Sequence, residues 1–233
     1  MSTTAQRAQG VTVLLLGGVA LAACHTTAAG APQPTPQTAS PPAAGRPGDL
    51  AGIAKAKADS AQRPYTEADV RFMSGMISHH AQAIVMARWA PSHGAGTAVR
   101  TLCERIINAQ TDEITIMQLW LRDRQQPVPE VSPAGMKMTM GGMEHVMLMP
   151  GMLSEAQMEQ LDQARGAEFD RLFLGFMIQH HQGAVTMVKE LLGSFGAGQD
   201  QTVFKFASDV NVDQTTEIAR MQKMLVAVIT SPQ

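Results

Sequence analysis

Asp69-Val-Arg-Phe-Met-Ser-Gly-Met-Ile-Ser-His-His-Ala-Gln-Ala-Ile-Val-Met86 recurs 101 residues later as Asp170-Arg-Leu-Phe-Leu-Gly-Phe-Met-Ile-Gln-His-His-Gln-Gly-Ala-Val-Thr-Met187, with Asp, Phe, Met, Ile, His, His, Ala and Met at matching places. A second match follows at an offset of 104, between Gln110-Thr-Asp-Glu-Ile-Thr-Ile-Met-Gln118 and Gln214-Thr-Thr-Glu-Ile-Ala-Arg-Met-Gln222. Each repeat is therefore two elements in a fixed order, and the changed offset is a change in loop length. Self-similarity on this scale marks a duplicated supersecondary unit.

Both elements carry a helical period. Phe72, Met73, Met76, His79, His80, Ala83, Met86 and Ala87 recur at three- and four-residue steps, one face of a 3.6-residue helix. The second elements show seams of Ile107, Gln110, Ile114, Met117 and Leu121, and of Ala207, Val210, Gln214, Ile218, Met221 and Leu225. Thr66 with Asp69, and Ser154 with Gln157, have the spacing of capping boxes. Breaks fall at 91–96 and 193–198. The pattern predicts long helices over residues 66–90, 97–124, 167–192 and 199–229, a short one after Ser154, and no strand. The expected fold is all-α: a four-helix bundle built from two hairpins, 65–125 and 154–233, joined by a connector over 126–153.

Composition narrows the function classes. The chain has 233 residues, net charge −2, 16% charged residues, 17 Met and only 2 Cys. Near-neutral charge gives no basic stripe, so nucleic acid is not an expected partner. Two cysteines build neither a disulfide framework nor a four-sulfur zinc site. At the start, Met1 and Arg7 precede an apolar run over 11–20 that is too short to span a bilayer and ends in Leu21-Ala22-Ala23-Cys24. This resembles the lipobox of bacterial lipoproteins, which implies a signal peptide over 1–23 and lipidation of Cys24. Residues 24–64, rich in Pro, Ala and Thr, read as a disordered tether. The expected location is extracytoplasmic, anchored to a membrane through that lipid. Cys103 reads as a small core residue.

The polar residues on the apolar faces carry the chemistry. With about 100° per residue, His79/His80 and His180/His181 straddle the centre of each stripe. Folding each hairpin brings Gln110 and Glu113, and Gln214 and Glu217, to the level of the histidines. Four imidazoles at equivalent mid-core places read either as metal ligands supported by those Gln and Glu residues or as a hydrogen-bond network that fixes packing. Met76, Met86, Met177 and Met187 taken alone read as core fillers. Asp69 and Asp170 lie about 15 Å from the histidines along the helix, at 1.5 Å per residue, and read as first-turn residues favouring the helix dipole.

Between the repeats, residues 135–152 hold Met136, Met138, Met140, Met143, His145, Met147, Met149 and Met152 among glycines. Some of these could cover the end of the bundle, but a Met-x-Met-x-Met run reads as a flexible soft-metal acceptor. Thioether sulfur suits Cu(I), imidazole also serves copper, and neither is consumed by disulfide formation.

The doubled Asp-x-x-Phe…Met-Ile-x-His-His…Ala-x-x-Met pattern, with Met149-Pro-Gly-Met-Leu-Ser-Glu between the copies, resembles the domain of unknown function 305 family from about Pro64 onward. The resemblance implies a ferritin-like four-helix bundle, usually exported, with copper binding in some members. It also implies metal positions at Met76, His79, His80, Met86, Met177, His180, His181 and Met187. No Glu-x-x-His pair of the di-iron enzymes occurs on the four long helices. The expectation is a copper-binding protein rather than an enzyme, with Cu(I) favoured over Cu(II) and a copper-handling protein as a candidate partner. The rivals are a metal-free interaction module and a di-iron oxidase or store.

Overall fold

The computed structural model describes residues 65–230, so the signal peptide, Cys24 and the tether lie outside the described residues. The chain is all-α as expected, with α1 (Glu67–Arg88), α2 (Thr97–Asp123), α3 (Glu155–Gln163), α4 (Gly166–Gly193) and α5 (Gln201–Thr230). Each long helix ends within two residues of the range read from periodicity. Thr66 and Ser154 close full capping boxes with Asp69 and Gln157. Among the described residues, no helix is long and apolar enough to cross a membrane.

Within each repeat the two long helices pack as a hairpin, α1 on α2 and α4 on α5, and the repeats meet through α1 against α4. Two apolar clusters fill the interior. One joins Phe72 to Met76 of α1, Ile114 to Leu121 of α2, Ala184 to Leu191 of α4 and Val203 to Val210 of α5. The other joins Ala83 to Ala87 of α1 and Ala90 just beyond it, Val99 to Ile106 of α2, Phe169 to Met177 of α4, and Met221. The start of α1 thus lies beside the end of α4, so the two helices run antiparallel, and the histidines fall in the layer between the clusters.

Asp69 and Asp170 do more than favour a helix dipole. Asp69 Oδ2 accepts from Thr66 N at 2.7 Å and Thr66 Oγ1 at 2.8 Å, while its Oδ1 accepts from Gly198 N at 2.7 Å. Gly198 lies in the α4–α5 loop of the other repeat. Reciprocally, Asp170 accepts from Gly96 N at 3.0 and 3.2 Å in the α1–α2 loop. Each repeat grips the turn of the other through the same aspartate, one lock at each end of the bundle. Asp200 adds a further tie, capping α5 through Thr202 N and Val203 N, accepting from Trp120 Nε1 and pairing with Arg124.

The expectation of no strand is corrected by the connector. Met136–Met140 (β1) and Met143–Met147 (β2) form an antiparallel hairpin. Gly141 and Gly142 make its two-residue turn with φ of 61° and 81°. Two-residue turns with positive φ at both positions match the twist of the flanking strands. The Gly-Gly pair was the local signal, masked because strand propensity is low for Met and Lys.

Beyond β2 the chain crosses α4 at Pro150 and Gly151. A Cβ on Gly183 would collide with the Pro150 carbonyl and Gly151 Cα, which explains a glycine inside a helix. Replacing it with alanine would normally gain about 1 kcal/mol of helix propensity. We expect Gly183→Ala instead to destabilise the protein by about 1–3 kcal/mol in urea unfolding, because the connector must lift. For the locks, Asp69→Ala should cost about 2–4 kcal/mol, through a lost cap and a stranded Gly198 N–H, and Asp170→Ala about 1–3 kcal/mol. The double variant should be close to additive, since the two sites lie at opposite ends.

Candidate metal centre

The layer between the apolar clusters holds His79, His80, His180 and His181, all 0% exposed. Antiparallel α1 and α4 bring His79 and His180 face to face, with ring centroids 3.8 Å apart and planes tilted by 40°. His80 and His181 flank them at 6.2 and 6.4 Å from their sequence neighbours. Each outer ring faces the second helix of its own repeat. His80 Nε2 lies 2.7 Å from Glu113 Oε2, out of line for a hydrogen bond, and His181 Nε2 lies 2.8 Å from Glu217 Oε2 in good geometry. The two glutamates are positioned as the hairpin argument expects.

Nitrogen lone pairs and N–H groups are left over. Nδ1 of His79, His80 and His181, both nitrogens of His180, and Oε1 of Gln110 and Gln214 are buried without a hydrogen-bond partner. Leaving such a group unsatisfied costs roughly 1–3 kcal/mol. A network built only to fix packing would have closed these bonds. Gln110 and Gln214 do not bond the histidines; with Glu113, Asp213 and Glu217 they line a cleft of about 220 Å³ between α2 and α5.

Burial, and then the neighbouring imidazole, push the His79 and His180 pKa values well below the ordinary histidine range. Both rings are therefore neutral near pH 7, the state in which imidazole binds metal. Burial is also the main reason the Cys103 thiol is raised to about 12, which leaves it a core residue.

The connector breaks the symmetry of the repeats. His79 Nε2 donates to the Pro150 carbonyl at 3.0 Å, whereas the equivalent His180 has no such partner among the described residues. The motif that contains Pro150 assigns it no role, and its part here is played by its backbone carbonyl.

The candidate methionines divide by place. Met76, Met86 and Met177 are fully buried, Met76 in one apolar cluster and Met86 and Met177 in the other. Met187 is nearly buried and, with Met136, Met147 and Met149, lines a cleft of about 370 Å³ between the hairpin and the α1/α4 face. Met152 is buried, its sulfur 3.3 Å from Met149 N. Met143 and His145 are exposed on β2, and Met138 and Met140 occupy β1. The structure therefore separates an imidazole layer from a thioether cleft at one end.

Among the described residues, no three His, Cys, Asp or Glu side chains converge as a metal cluster. Structural zinc wants four such ligands and catalytic zinc three. The facing imidazole pair suits instead a soft ion content with few donors.

No curated protein matches the chain. Similar solved structures include a candidate secreted DUF305 protein from Streptomyces coelicolor, 28% identical over 71% of this chain and 96% of that one, with TM-score 0.58. A DUF305 fragment from Deinococcus radiodurans is 29% identical over 71% and 99% of the two chains, also with TM-score 0.58. CopM in its Cu(II)-bound form is 28% identical over 68% and 96%, with TM-score 0.53, and its Cu(I)-bound form is 27% identical over 69% and 96%, with TM-score 0.51. The family described as Domain of unknown function (DUF305) matches residues 69–225, well over half of the chain, and the protein belongs to that family.

Proposed function

We propose that this protein is an extracytoplasmic copper-binding protein that takes up Cu(I) in preference to Cu(II), for sequestration or hand-over, and that it is a carrier rather than an enzyme. The observation that carries this reading is the imidazole layer: four buried rings with unpartnered nitrogens, two of them held neutral. The facing pair His79 and His180 would hold the ion, with His80 and His181 flanking them against Glu113 and Glu217 and buried Met76 and Met177 one turn from the histidines in sequence. The copper-bound forms of CopM support the reading, because that relative shares the fold at 27–28% identity. Lipidation of Cys24 would tether the carrier to a membrane, and a copper-handling protein would be its natural partner. Neutral imidazole and thioether need lose no proton to bind, so uptake would be insensitive to pH near neutrality.

Competition against a Cu(I) chelator tests the site. His79→Leu/His180→Leu should weaken Cu(I) binding by at least about tenfold, in line with the losses that follow damage to metal sites. The same variant should leave the metal-free protein about as stable as wild type or more so, because the apolar side chains remove three buried nitrogens without partners against one lost hydrogen bond to Pro150. A destabilised variant that keeps its Cu(I) affinity would show the layer to be a packing network.

The metal-free protein should also lose stability in acid. His79 and His180 bind fewer protons folded than unfolded, so stability is fully present above the unfolded value of about 6.5 and falls as pH drops through it towards the lowered folded values. His80, His181 and each other's rings face these two groups, so no carboxylate in direct contact offsets their protonation. The unfolding free energy from urea titrations should decline below pH 6.5 by up to about 1.4 kcal/mol per pH unit for each ring, and the double Leu variant should lose that dependence.

A further inference from the structure

The register of the β1–β2 hairpin pairs Met136 with Met147, Met138 with His145, and Met140 with Met143. Directly opposed residues of an antiparallel ladder share a face, and alternate residues along each strand share it too. Positions 136, 138, 140, 143, 145 and 147 therefore fall on one face, and every one bears a thioether or an imidazole. Lys137, Thr139, Glu144 and Val146 take the other face. Packing accounts for Met136, which is buried in an apolar cluster, but not for Met143 and Met147, which are 66% and 44% exposed.

At the base of the ladder the rung of Met136 and Met147 opens into the cleft shared with Met149 and Met187. The Met149 sulfur lies over Gly75, where a Cβ would come within 2.8 Å of it, and Met187 Cε lies 3.5 Å from the same point. Gly75 is one helical turn before His79. Pro150, the residue after Met149, accepts the His79 hydrogen bond. Soft donors thus follow one another from the hairpin turn to the edge of the imidazole layer.

We propose that this face is a loading track on which a soft monovalent cation, Cu(I) or Ag(I), is captured near the hairpin turn and passed through the thioether cleft to His79 and His180. The proposal rests on the copper reading of the imidazole layer. Each step is a ligand exchange: one sulfur–metal bond forms as another breaks, no electron moves, and no proton is released because a thioether carries none. Donors tethered this close to the cleft hold the ion there at an effective concentration on the order of millimolar, far above that of free Cu(I).

The test follows Cu(I) leaving a coloured chelate by stopped-flow absorbance under reductant, with ¹⁵N imidazole shifts reporting when the histidine layer fills. The variant Met138→Leu/Met140→Leu/Met143→Leu/His145→Thr keeps the cleft and the layer intact. We expect filling to slow by at least about tenfold as the tethered donors are lost, with the final imidazole shifts matching wild type. Filling at the wild-type rate would overturn the track. So would a fall in equilibrium occupancy in step with the rate, because hairpin and layer would then be one site. A slowing seen with Cu(I) but absent with Ag(I) also overturns it, since the two ions share the chemistry invoked. A wild-type protein that takes up no Cu(I) would remove the copper reading itself, an outcome distinct from the other three.

Discussion

Desolvation of the four central imidazoles governs this structure. Placing His79 and His180 at 3.8 Å between two apolar clusters is possible only if both stay neutral, and burial enforces that state by lowering their pKa values. The cost is nitrogen atoms that nothing in the described fold satisfies. Such a layer would be eroded quickly if stability alone were at stake, because apolar residues of similar size would serve the core better. The helices around it must then be held by other means, and the interlocking aspartates supply them. Asp69 and Asp170 each secure the opposite repeat's turn by accepting a hydrogen bond from its backbone N–H at a carboxylate oxygen, the stronger kind of hydrogen bond. The strained middle is framed by two firm ends.

Duplication explains why these features come in pairs, and the connector explains why the pairs are unequal. Two copies of one hairpin packed antiparallel through their first helices must place His79 against His180 and each aspartate beside the other copy's loop. A single connector cannot be symmetric. It lies over Gly183 of the second repeat and gives its Pro150 carbonyl to His79 of the first. One central imidazole is thereby fixed in tautomer and orientation, since its Nε2 must carry the proton, while neither ring nitrogen of its partner His180 has a well-aligned hydrogen bond among the described residues.

The helices were legible because their signals are local: apolar residues at three- and four-residue steps, Thr66 and Ser154 at the starts, glycine and proline at the breaks. The level of Glu113 and Glu217 was legible too, because a helical hairpin fixes which residues stand opposite each other. What escaped was long-range or carried by the backbone. Asp69 meets Gly198 across 129 residues, and no spacing rule reports that. Pro150 acts through a carbonyl that any residue would supply. The β-hairpin is harder to read because Met136, Met138 and Met140 alternate with Lys137 and Thr139, a period-2 pattern whose repeated member is not a typical strand former, so the alternation reads first as chemistry. It is both, since alternation is what brings the methionines onto one face.

The division between a buried nitrogen layer and a sulfur-rich cleft also fits the demands on the copper carrier proposed above. A site must bind tightly enough to keep free copper low and still release it, and exchange between donors of similar softness keeps each barrier small. Imidazole deep in the core would give such an ion a neutral, dry, proton-independent resting place. Thioethers, being uncharged and without a proton to exchange, give contacts that weaken by displacement rather than by titration. Had the connector carried cysteines, thiolate formation and oxidation outside the cytoplasm would have trapped the ion or consumed the donor. Had it carried carboxylates, Mg²⁺ and Ca²⁺ would have competed for them. Methionine beside a histidine core avoids both, and the hairpin register is the device that turns a run of methionines into an ordered surface.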